Sequence, residues 1–96
     1  MRIEDVRKLT IISTSEDEHG EYDVQTKYER FNEKMFQRSY YTTNKYDTMC
    51  KNCGAWNAKD DHICMPEYVT NRNIIEEVEE LQNDESVRIY INGKLI

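Results

Sequence analysis

The sequence predicts an α+β fold: a small antiparallel β-sheet of three to five strands, one amphipathic helix packed across it, and a metal-binding loop joining them. Three observations carry the prediction. Residues 22–28 and 87–91 alternate apolar and polar side chains, the two-residue period of a half-buried strand. Ile74, Ile75, Val78 and Leu81 fall on one arc of a helical wheel. Between these stretches, Cys50, Cys53, His62 and Cys64 crowd four potential metal donors into one short segment.

Ninety-six residues suit one domain spanning 1–96. It is expected to comprise a β-rich segment over residues 1–49, the cysteine region 50–64, and a helix and C-terminal strand within 70–96. Apolar residues make up 38% of the chain and charged residues 33%, so the core is thin and gains from an extra staple. One proline, three glycines and the lack of any low-complexity run argue against global disorder. The stretch MRIEDVRKLTII contains no apolar signal-like run, and no segment approaches the roughly 20 apolar residues of a membrane helix. Three cysteines cannot all pair within one chain, which disfavours a disulfide framework. A reducing, cytoplasmic setting with no membrane partner is therefore expected.

Taken in order, Val6 to Ser13 contains the β-branched run LTII and reads as a strand. The stretch STSEDEHGE that follows is polar and acidic and reads as a loop, with Gly20 free to adopt a positive φ. Tyr22, Val24, Thr26 and Tyr28 then alternate with charged and polar residues, as in a strand antiparallel to the first. Residues 24–38 admit two readings. Val24, Tyr28, Phe31 and Met35 also fit a helical stripe, but β-propensity favours strands, with Asn32-Glu33-Lys34 as a turn into a third strand, Met35 to Thr43.

Met65-Pro66-Glu67 reads as a stop. The helix is expected over Asn71–Asn83, with Thr70 or Asn71 as N-cap, or Asn73 paired with Glu76 as a capping pair; its glutamates form a solvated face. Val87, Ile89 and Ile91 form a last strand, and Asn92-Gly93 turns Lys94 to Ile96 back as a short hairpin arm.

Two residues between Cys50 and Cys53 let one tight turn aim both thiolates at a single ion, and Gly54 eases the backbone behind them. His62 and Cys64, at i and i+2 of an extended segment, project to one side while Ile63 points away. Residues 50–64 thus resemble the zinc knuckle of zinc-ribbon and treble-clef domains. The resemblance implies a structural zinc ion on Cys50, Cys53, His62 and Cys64. The second half departs from the pattern, being His-x-Cys, so His62 is the least secure ligand, with His19 or Asp61 as rivals. A Cys-x-x-Cys redox pair lacks its usual βαβ surroundings. Asp60 and Asp61 read as loop residues, and no catalytic motif accompanies the cluster. Structural zinc supplies on the order of 10–16 kcal/mol of apparent binding free energy, comparable with a small domain's whole stability of about 5–15 kcal/mol. Chelation, or acid that protonates the ligands, is accordingly expected to unfold the chain.

The net charge of −6 is segregated. Residues 24–59 carry seven basic and three acidic side chains, while residues 60–96 carry three basic and nine acidic ones. The expected function is a non-enzymatic, zinc-stabilised protein-interaction module. Its size and composition suit an adaptor or inhibitor of a larger cellular machine, of viral or mobile-element origin. The alternative is a nucleic-acid-binding zinc protein using the basic aromatic stretch 27–51, with Arg30, Lys34, Arg38, Tyr40, Lys45 and Trp56 as binding residues. The alternative requires the basic residues to converge on one face. A third reading, acidic mimicry of DNA, is opposed by the basic middle segment.

Overall fold

A computed structural model describes residues 2–59 and 61–96; Asp60, read above as a loop residue, lies outside the described residues. The chain forms a six-stranded antiparallel sheet and one helix, an α+β arrangement. The elements are β1 (Lys8–Asp17), β2 (Gly20–Arg30), β3 (Met35–Thr42), β4 (Glu67–Thr70), α1 (Asn71–Leu81), β5 (Val87–Ile91) and β6 (Lys94–Leu95). Their order across the sheet is β4-β3-β2-β1-β5-β6. The strand reading of residues 24–38 holds: β2 and β3 are joined by the turn at 31–34, where the Asn32 side chain accepts from the Lys34 and Met35 amides.

Three expectations change. The acidic stretch after Ser13 is mostly ladder, because β1 and β2 pair from Lys8↔Glu29 to Asp17↔Gly20 and leave only Glu18 and His19 in the turn. A two-residue turn, with Gly20 at φ 111°, forces its polar neighbours into register. Residues after Pro66 do not simply stop. Glu67–Thr70 pairs with β3, Val69 opposite Phe36, and adds a strand that its four-residue length concealed. The helix ends at Leu81, and its N-cap is Thr70, with Asn73 as the reciprocal partner of a capping box in place of an Asn73–Glu76 pair. Asn92-Gly93 does turn the chain, with φ 52° and 84°, so that Lys94 pairs with Ile91.

The helix leaves β4 at one side of the sheet and delivers the chain to β5 beyond β1, so it must cross the intervening strands. Ile74 and Val78 thereby meet Leu9, Ile11, Tyr28, Phe36 and Ile89, and Val6 closes the buried cluster. All these strand residues share one face by alternation. The opposite face carries no second layer among the described residues, and the molecule measures 39 × 32 × 19 Å. No helix among the described residues is long and apolar enough to cross a membrane.

Candidate metal centre

Between β3 and β4 the chain builds a compact loop over the end of the sheet. Thr48 and Asn57 bracket a small hairpin: the Asn57 amide donates to the Thr48 carbonyl at 2.8 Å, and Met49 and Trp56 form an isolated bridge. Inside it, the Cys50 amide donates to Ala55 at 2.9 Å and the Gly54 amide to the Cys50 carbonyl at 2.8 Å, which places Cys50 and Cys53 on one tight turn. Gly54 takes φ 77°, and a side chain there would meet the Tyr40 ring at 3.2 Å, so both the turn and the close approach to β3 call for glycine. The Tyr40 amide donates to the Lys51 carbonyl at 2.9 Å, carrying on along β3 where β4 ends.

The segment 62–64 returns His62 and Cys64 to this turn, and the Asn52 side chain holds it by donating to the Cys64 carbonyl at 3.0 Å. One donor atom from each of Cys50, Cys53, His62 and Cys64 lies within 4.8 Å of every other. Cys50 Sγ is 3.2 Å from Cys64 Sγ, and Cys53 Sγ is 3.4 Å from His62 Nε2. The cluster could hold a metal ion. His62 is therefore brought into the group, whereas His19 stacks on Tyr46 with ring centroids 3.8 Å apart.

Backbone amides tune the sulfurs. The N–H of Asn52, then the Cys64 thiol and the N–H of Cys53, hold Cys50 down to about 6. Cys64 is pushed up to about 11, chiefly by its hydrogen bond with Cys50. A cation bound by these sulfurs would displace their protons.

The six other candidate residues do not come together. Arg30, Arg38 and Tyr40 lie on the helix side of the sheet. Arg30 is bound to backbone carbonyls and stacks over Phe36 at 4.2 Å; Arg38 pairs with Glu67. Lys34 sits in the β2–β3 turn and Lys45 follows the far end of β3, separated by roughly 26 Å of strand. Trp56 meets the edge of Tyr22, with centroids 5.8 Å apart, and remains 42% exposed. The sequence reading turned Ile63 away from the ligands, and it is exposed; it missed Asn52, which ties the two halves of the loop, and the exposure of Met65. No known family model matches the chain, and no curated protein or solved structure is similar to it.

Proposed function

We propose that this chain is a non-enzymatic protein-interaction module whose contact loop is held in shape by a structural zinc ion. The reading rests on the convergence of Cys50, Cys53, His62 and Cys64. Three sulfurs and an imidazole are a donor set suited to zinc, and four protein donors leave no open position for a reacting water. Zinc–sulfur bonds of about 2.3 Å at tetrahedral angles separate donors by about 3.8 Å. The donor separations of 3.2 and 3.4 Å lie just below that value and the others within 4.8 Å, so small side-chain shifts bring the four donors to the ion.

An ion in this place also gives a use to the exposed side chains around it. Ile63 is 90% exposed and Met65 79%, and they flank a ligand on either side of Cys64. Large apolar groups presented on a metal-fixed turn lose little conformational freedom on contact, which favours binding.

Native mass spectrometry of the purified chain is expected to show one zinc ion per chain, lost on Cys50→Ser. Affinity capture from host lysate should then recover a specific protein with the zinc form, but not with chelated protein or with Ile63→Asp/Met65→Asp, which retains the metal. Capture that is indifferent to both changes sinks the interaction reading, and a chain that binds no zinc sinks the metal reading.

A further inference from the structure

We propose that the open face of the sheet is an interface with a second copy of this chain, related by a two-fold axis that lies in the plane of the interface and runs perpendicular to β1. The face is the side opposite Leu9, Tyr28 and Phe36, and the register puts Ile12, Tyr41, Tyr68 and Tyr90 on it. Leu95 joins them opposite Tyr90, and Phe31 joins them by packing its ring against Tyr68 at 4.7 Å. Phe31, Tyr41, Tyr68 and Leu95 are 43–60% exposed. A sheet normally buries both its faces or keeps the solvated one polar, and aromatic side chains on the open face are what an uncovered interface leaves behind. The dimensions 39 × 32 Å bound a face ample for the about 800 Å² that each partner buries in a dimer of standard size.

Charge selects the occupant. Glu16 and Glu21 oppose each other directly at the hairpin end of this face, and neither has a cation within salt-bridge distance among the described residues. Like charges directly opposite each other on neighbouring strands are unfavourable. Nearer the start of β1 the same face carries Lys8, which makes no ion pair among the described residues, and Lys27, whose ammonium lies 5.1 Å from the Tyr41 ring centre. Glu29, directly opposite Lys8, offsets part of that basic end and leaves it net positive, while Arg88 pairs with Asp23 at 3.4 Å. A net negative end and a net positive end, roughly 27 Å apart along β1, are self-complementary when two faces meet with their strands running in opposite directions. A two-fold axis parallel to the strands would set the two pairs of glutamates against each other. The two sheets would pack about 10 Å apart. Nucleic acid would take the bases and aromatics but would meet Glu16 and Glu21 with its phosphates.

Sedimentation equilibrium of the full chain tests this across about two decades of micromolar concentration. The expected result is a monomer–dimer equilibrium that weakens about tenfold or more with Tyr41→Glu. The charge swaps Glu16→Lys/Glu21→Lys and Lys8→Glu/Lys27→Glu should each be monomeric alone. Their equimolar mixture should dimerise again, which also shows that both variants fold. A monomer throughout, a dimer indifferent to these changes, or a dimer lost instead on Ile63→Asp overturns the proposal. So does a monomer whose tyrosine fluorescence is quenched by a single-stranded oligonucleotide, which would assign the face to nucleic acid.

Discussion

Arg30 donates from all three of its guanidinium nitrogens. Nε reaches the Val6 carbonyl at 2.8 Å, Nη2 the Ile3 carbonyl at 2.6 Å, and Nη1 the Asn32 carbonyl at 2.9 Å, with Asn71 Oδ1 at 3.2 Å. It thereby ties the N-terminal 3-10 turn, Ile3–Asp5, to the β2–β3 turn and to the start of the helix, while its plane covers Phe36. Arg30→Ala is expected to cost about 2–4 kcal/mol in urea unfolding, since several carbonyls lose a charged donor together. Arg30→Lys should recover less than half of this, because an ammonium cannot reproduce the planar fork. A loss below about 0.5 kcal/mol would show that these bonds merely replace water. From the sequence, Arg30 read as a base in a basic aromatic stretch; two of its carbonyl partners, Ile3 and Val6, lie 27 and 24 residues away, out of reach of any local pattern. Asn92 acts in the same way, accepting from the Arg7 and Lys8 amides while its own amide donates to the Asp5 carbonyl at 2.9 Å.

At the level of elements, Thr70 does two jobs. It ends β4 opposite Met35, and its hydroxyl accepts from the Asn73 amide at 3.2 Å to begin α1. The Asn73 side chain accepts the Thr70 amide at 3.0 Å in return. A strand can pass into a helix in one residue because the cap satisfies the first free amides at the junction. Thr70→Ala should therefore lower stability by about 1 kcal/mol, with Thr70→Ser nearly neutral. Equal losses from both would point to the methyl group and not the cap. The helix was legible because eleven residues repeat its period three times; β4 was not, because four residues give only two repeats of the strand period. The metal hairpin falls between these cases, since its donors were evident but its attachment to Tyr40 was not.

At the scale of the molecule, every buried residue among the described residues comes from segments 6–36 or 74–89, and none from the candidate metal loop. β4 and β5 are hydrogen-bonded to β3 and β1, so the sheet joins the two halves of the chain without the loop. That arrangement narrows the expectation that chelation unfolds the chain. Removing the metal should abolish amide-exchange protection at Cys50, Gly54 and Asn57 while Leu9, Ile11, Tyr28 and Ile89 stay protected. Loss of protection at all of these together would make the ion a condition of the entire fold. Spacing among near neighbours was enough to read the candidate metal donors, the helix and the Asn92-Gly93 turn from the sequence. Only the tertiary structure decided the strand order, the engagement of Arg30 and Arg38, the position of Cys50–Cys64 outside the core, and the bare second face of the sheet. Each of these follows from which distant strands become neighbours, a choice set by collective burial and not by the period of any one segment.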